Sequence, residues 1–244
     1  MDDSPALVFL HGFTNSGESW RPVISALPQR YRVVALDIRG HGSAWPRTEV
    51  TLAAVLGDIA SVDFDRFTLV GYSQGGRIAL HAALALPRRI QALVLIGASP
   101  GIAEPRERER RREADERLAD RIEHLTIEQF AAEWAQTPVL RGVPADVARA
   151  AHTDRLRSST AGLAAALRGL GTGALPPLWD RLAELAMPVT LIAGEWDAKF
   201  QAVAEQMAAR IPQARLQVVA QAGHAVHLEQ PGAVAAQIRA TLSG

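Results

Sequence analysis

Residues 69–77 read Leu69-Val70-Gly71-Tyr72-Ser73-Gln74-Gly75-Gly76-Arg77, an apolar run that breaks into Gly-x-Ser-x-Gly and leads into the helical stretch Ile78 to Leu84. A strand, a tight turn and a helix in that order form a nucleophile elbow, in which a strained turn lifts a serine hydroxyl above the carboxyl edge of a sheet. Gly71 and Gly75, with Gly76 behind them, flank the turn where a side chain would collide. The stretch predicts an α/β chain with Ser73 at a strand end.

On either side of this stretch, short apolar runs alternate with helical ones. Ala6 to Leu10, Arg32 to Asp37, Phe67 to Gly71 and Ile90 to Ile96 read as strands, with Trp20 to Leu27 and Leu52 to Ile59 as helices between them. Strand, helix, strand in repetition predicts a mostly parallel sheet with helices on both faces. From Pro100 to about Pro177 the alternation stops, and only Glu/Arg-rich and Ala/Leu-rich helical stretches appear. The pattern returns with strands at Val189 to Gly194 and Arg215 to Val219, and helices at Phe200 to Arg210 and Pro231 to Leu242. The expected architecture is one structural domain: an α/β core from residues 1–99 and 178–244, with a helical cap inserted at 100–177.

At 244 residues and 48% hydrophobic, the chain can bury a full core. Lys+Arg and Asp+Glu balance at 26 each, so no global field draws in nucleic acid or an anionic membrane, and a small molecule is the expected partner. With no cysteine, disulfides and thiol catalysis are excluded. The start, Met1-Asp2-Asp3-Ser4-Pro5, lacks the basic and long apolar segments of a signal peptide, and no apolar run approaches the roughly 20 residues of a membrane helix, so a cytoplasmic protein is expected. Neither a metal-ligand cluster nor a phosphate-cradling Gly-rich fingerprint is evident, so no cofactor or metal is expected. Oligomeric state is not encoded in any pattern found.

Ser73, Asp197 and His224 each stand just past a predicted strand, in the order Ser, Asp, His that the α/β-hydrolase fold uses. A serine hydroxyl is a poor base or nucleophile near neutrality, so a histidine must take its proton and a carboxylate must orient that imidazole. Each residue also has a plain structural reading: a turn serine, a helix-capping aspartate, a loop histidine. His227 is the rival to His224, although it lacks a preceding glycine. The backbone N–H groups of Phe13 and Gln74 are the expected oxyanion donors. His11 is expected to orient the Phe13 loop, and His41 to brace its own Gly-rich loop.

In the cap, Ala114, Leu118, Ile122 and Leu125 form one apolar stripe at 100° per residue, and Arg111 extends it one turn toward the N-terminus. Arg77 lies one turn after Ser73. Guanidiniums so placed need anionic partners; a salt bridge and a substrate anion both satisfy that need, and periodicity does not choose between them.

Gly71 to Arg77, Ala98-Ser99-Pro100-Gly101-Ile102, the Arg-rich stretch ending Asp115-Glu116-Arg117-Leu118-Ala119, Phe130-Ala131-Ala132-Glu133-Trp134 and Gly194-Glu195-Trp196-Asp197-Ala198-Lys199-Phe200 together resemble the MenH family, the 2-succinyl-6-hydroxy-2,4-cyclohexadiene-1-carboxylate synthases. The resemblance spans almost the whole chain. It implies a lyase that eliminates pyruvate from 2-succinyl-5-enolpyruvyl-6-hydroxy-3-cyclohexene-1-carboxylate, with Ser73, activated by His224, as the base. A tricarboxylate substrate explains cationic side chains in an apolar pocket. By matching motif positions, Arg77, Arg111 and Arg157 are implied carboxylate binders, with Tyr72 and Trp134 lining the pocket. Gln74 departs from the Met or Leu usual in the family, which is harmless if only its N–H works. A carboxylic-ester or carbon–carbon hydrolase with nucleophilic Ser73 is the alternative enzyme. The alternative of another class is a ligand-binding receptor or protein-interaction module on the same fold, against which the intact Ser, His and Asp set argues, because a receptor need not keep a base and its orienter.

Overall fold

Side chains along a strand alternate between faces, so a strand apolar at every position needs a layer on each side. A computed structural model, which describes residues 4–47, 49–137, 140 and 142–243, arranges the chain in that way. The strands are β1 (Ala6–Leu10), β2 (Arg32–Leu36), β3 (Phe67–Tyr72), β4 (Ile90–Ile96), β5 (Val189–Gly194) and β6 (Ala214–Val219). They form one sheet in the order β2-β1-β3-β4-β5-β6, every pairing parallel. Leu10 pairs with Gly71, and Tyr72 with Ile96, so the carboxyl ends of β1, β3 and β4 are level and their loops share one rim.

The alternation sorts residues between two cores. Ala6, Val8, Leu10, Leu69, Leu93 and Leu95 face α2 (Leu52–Ala60), α3 (Gln74–Ala85) and α8 (Ala198–Ala208). Leu7, Phe9, Val70, Val94 and Ile96 face α1 (Arg21–Ser25), the short α9 (Val226–Glu229) and α10 (Pro231–Ser243). The edge strands β2 and β6 are half exposed because each has a neighbour on one side only. The helix expected at Trp20 to Leu27 is instead a 3₁₀ turn at Gly17–Trp20 followed by the short α1, which fixes the Trp20 ring against Phe9 at 5.0 Å between centroids.

Between β4 and β5 lie α4 (Pro105–Glu123), α5 (Ile127–Trp134), α6 (Ala145–Arg155) and α7 (Thr160–Leu170), with no strand among the described residues there. Ala119, Ile122, Phe130, Leu163, Ala164 and Leu167 make a separate apolar cluster. Arg168 ties α7 to α4 through Glu116, Asp120 and Glu123 at 2.7, 2.7 and 2.6 Å. The buried face of α4 differs from the expected stripe: Ala114 is exposed, and Asp115, Ala119 and Ile122 are buried. The helix is turned by about one residue because α7 packs on its Ala119 side and the Gly171 backbone makes room for the Asp115 carboxylate. Among the described residues no helix is long and apolar enough to cross a membrane. The reading of the chain's acidic start lies partly outside the described residues, at 1–3.

Burial holds several imidazoles neutral. The pKa values of His41 and His227 are pushed down to about 3 by desolvation, and that of His81 to about 4 by desolvation and by Arg77. The unfolded chain takes up these protons near 6.5, so between that pH and the folded values it binds more protons than the native state. Stability is therefore full above about pH 6.5 and falls as pH drops. Asp37 and Asp58, whose folded pKa values are lowered, add their loss only below the ordinary carboxylate range. A midpoint of denaturation that declines between about pH 6.5 and 4.5 is expected; a flat profile there would mean the imidazoles are solvated.

Candidate active site

The turn after β3 has the strain its sequence requires. Ser73 sits at φ 49° and ψ −108°, in the positive-φ region that costs a non-glycine residue about 1–3 kcal/mol. Its N–H donates to the Ile96 carbonyl at 2.8 Å, and its own carbonyl accepts from Arg77 N–H at 3.0 Å. Gly75 lies so close to the carbonyls of Leu10 and His11 that a Cβ would strike both oxygens. The close approach lets α3 begin directly under the serine.

Ser73 Oγ lies 3.2 Å from His224 Nε2, and His224 Nδ1 lies 2.7 Å from Asp197 Oδ2. Asp197 also caps α8, its Oδ1 accepting from Phe200 N–H at 3.4 Å. The capping and orienting readings of this aspartate are thus both met, one by each oxygen. His227 is turned away: its ring is fully buried, tilted against Tyr72 at 4.1 Å and Trp20 at 4.8 Å between centroids, with neither nitrogen hydrogen-bonded among the described residues. The Tyr72 ring lies 5.3 Å from His224, and burial, reinforced by the Asp197 charge, pushes its phenol pKa up.

The loop after β1 is held from three sides. His11 Nε2 accepts from Ile38 N–H at 2.9 Å, while its Nδ1 is 2.8 Å from Gly12 O, the arrangement of an imidazole protonated at Nδ1. Asp154 of α6 accepts from Ser16 N–H at 2.9 Å, from the Ser16 hydroxyl and from Asn15 Nδ2 at 3.3 Å. His41 lies edge-on to Phe13 at 5.6 Å, and Trp134 does the same from the cap at 5.2 Å. Neither Phe13 N–H nor Gln74 N–H has an acceptor among the described residues.

A cavity of about 270 Å³ opens over Ser73 and His224, walled by Phe13, Tyr72, Gln74, Leu118 and Trp134. Four cations line it, Arg77, Arg111, Arg155 and Lys199, against one acid, Asp115. Arg77 is only 8% exposed and makes no ion pair among the described residues; one guanidinium nitrogen points at Leu170 O at 3.5 Å and Nε has no partner. Desolvation, with Arg111 nearby, lowers its pKa to about 10, so it stays charged at neutral pH. Arg111 donates from Nε to Asp115 Oδ1 at 2.8 Å and lines the cavity with it.

Arg157 does not face this cavity; it lines a different depression beside Glu18, Arg21 and Asp37. The buried arginine is Arg155, 3% exposed, its Nε donating to Thr14 Oγ1 at 3.3 Å and its pKa lowered by desolvation. Arg157 follows the end of α6, whereas Arg155 is four residues after Ala151 on the buried face of that helix. Helical periodicity from Ala148 and Ala151 is the signal that would have selected it. Lys199, Phe200, Leu118 and Asp115 are further lining residues to which sequence patterns assigned no part in the site. Among the described residues no group of His, Asp and Glu converges as metal ligands.

The alpha/beta hydrolase fold family matches residues 5–231. A 2-succinyl-6-hydroxy-2,4-cyclohexadiene-1-carboxylate synthase of Serratia proteamaculans (strain 568) is 36% identical over 97% of this chain and 92% of its own length. Among solved structures, MenH from S. aureus superposes with a TM-score of 0.92 at 31% identity, covering 98% of this chain and 93% of that one. The enol-lactonase from Burkholderia xenovorans LB400, at 21% identity and a TM-score of 0.82 over 99% of this chain and 92% of that one, shares the fold.

Proposed function

This chain belongs to the MenH family of the α/β-hydrolase superfamily, lyases that release pyruvate to form 2-succinyl-6-hydroxy-2,4-cyclohexadiene-1-carboxylate, and from that premise we propose that Ser73, His224 and Asp197 perform the proton transfer. The substrate, 2-succinyl-5-enolpyruvyl-6-hydroxy-3-cyclohexene-1-carboxylate, and the 2,4-diene product differ by a proton at C2 and the enolpyruvyl group at C5. His224 takes the Ser73 proton, and the alkoxide removes the proton at C2, which the adjacent succinyl carbonyl acidifies. Charge gathers on that carbonyl oxygen, and Phe13 N–H and Gln74 N–H are the donors for it. The electron pair then moves through the ring alkene and breaks the C5–O bond. The departing enolpyruvate becomes pyruvate when its methylene carbon takes a proton, balanced by loss of the proton held on His224, which returns the imidazole to neutral.

Arg77, Arg111 and Arg155 hold the carboxylates, with Tyr72 and Trp134 as walls. The core at 1–99 and 178–244 supplies the triad, and the cap at 100–177 supplies Arg111, Trp134 and Arg155. The observation that carries this reading is the Ser73–His224–Asp197 chain of contacts, at 3.2 and 2.7 Å, beside a buried arginine that makes no ion pair among the described residues. An ester hydrolase does not need a desolvated cation beside its nucleophile, because a neutral ester offers no charge to repay the desolvation. Purified protein given the enolpyruvyl substrate is expected to release pyruvate and the diene in equal amounts, followed by pyruvate coupling and diene absorbance. Rapid hydrolysis of neutral esters with no pyruvate formed would favour nucleophilic Ser73 instead.

A further inference from the structure

Outside the catalytic cavity, and sharing Arg77, Arg111, Lys199 and Phe200 with it, lies a wider depression of about 980 Å³ between the start of α4 and α8. Arg110 and Arg210 add to its lining, so five cations meet three acids, Glu104, Glu107 and Asp180. Glu104 is already engaged, both of its oxygens capping α4 through the N–H groups of Arg106 and Glu107.

Elsewhere Arg168 takes three acids, and Arg39 and Arg47 share Asp58. Here Arg77, Arg110, Lys199 and Arg210 make no ion pair among the described residues, although acids are plentiful in the chain. Lys199, the single lysine, stands in the first turn of α8, where the helix dipole disfavours a cation. The Arg210 guanidinium lies over the Trp179 ring at 5.4 Å, and that indole is itself fixed by its N–H to Gly101 O at 2.9 Å. Its charge is therefore presented to the depression from a set position. Like charges collected without counterions raise the energy of the free protein and are offset when an anion binds among them.

Resting on the pyruvate-eliminating reading, we propose that this depression is an outer carboxylate subsite: Lys199, where depression and cavity join, binds one carboxylate-bearing arm of the substrate, and Arg110 and Arg210 draw the trianion in. With the ring over Ser73 and Arg155 buried at the inner wall, an arm directed outward passes Lys199. The site is solvated, so its attraction is screened over about 8 Å at physiological salt.

The test compares wild type, Lys199→Met, Lys199→Arg and Arg210→Met as full chains, with kcat and KM for the enolpyruvyl substrate measured across ionic strength. Lys199→Met is expected to raise KM about tenfold, the low end for a charge-assisted contact, with much less change in kcat and a shallower fall of kcat/KM with salt. Lys199→Arg should restore most of the affinity and the salt slope, and Arg210→Met should flatten the slope with a smaller rise in KM. A Lys199→Met enzyme with wild-type KM and slope overturns the proposal, as does one that loses kcat alone, which would place Lys199 behind Asp197. Calorimetric titration of the same substrate into Ser73→Ala, with and without Lys199→Met, reads the subsite without turnover. Equal affinities there refute the subsite, whereas absent pyruvate formation by wild type refutes the reaction.

Discussion

Ser73→Ala is expected to lower kcat for pyruvate release by on the order of 10³–10⁶ while leaving KM within a few-fold of wild type. The hydroxyl is the only group at hydrogen-bond distance from His224 Nε2 among the described residues, so its removal leaves the imidazole without the atom through which it acts. His224→Ala should cost a similar factor, and Asp197→Asn somewhat less, because the amide keeps the cap on α8 while losing the charge that orients Nδ1. Double variants should fall little below the worst single one, since the three groups act as a unit. Progress curves at saturating substrate measure this directly. Turnover of Ser73→Ala close to wild type would remove the serine from the proton transfer and leave His224 as the direct base.

The second large effect separates carboxylate binding from structural pairing. Arg77→Ala and Arg155→Ala should each lose about 1.5–3 kcal/mol of transition-state binding, ten- to a hundredfold in kcat/KM. Their stability should behave unlike that of an ordinary buried ion pair. Removing one partner of such a pair strands a charge, but Arg77 has no carboxylate partner among the described residues, so Arg77→Ala relieves a desolvated cation. Its melting temperature should hold or rise while activity collapses. Arg111→Ala should lose both, because the buried Asp115 carboxylate is left unpaired. Arg157→Ala should match wild type in kcat/KM, since that side chain lines a different depression. If Arg77→Ala melts lower and keeps full kcat/KM, the arginine is structural and the carboxylate clamp fails at that position.

A short apolar run is local information, and such runs were enough to delimit all six strands to within a residue or two and to predict helices on both faces of the sheet. The elbow was equally legible, because the need for glycine at 71 and 75 arises from contacts made within one strand–turn–helix unit. The placement of Ser73, Asp197 and His224 at strand ends required only the order of elements. The sheet, the helices between β4 and β5 and the rim that carries the triad are thus legible from residue order alone.

What it could not determine was rotation and reach. The turn of α4 that exposes Ala114 and buries Asp115 depends on how α7 packs across it, a contact between residues about 50 positions apart. The choice of Arg155 over Arg157 depends on which face of α6 meets the Thr14 loop, and motif matching carries no angle. The two bonds of Asp197 and the exclusion of His227 likewise follow from where rings and carboxylates pack once the sheet has twisted. Most of all, the lack of an ion pair at Arg77 among the described residues is a property of the assembled interior, where Asp115 acts on it through its charge but is bonded to Arg111. Residue pattern says that a buried cation needs an anion, and it takes the packed fold to show that no described residue makes an ion pair with it.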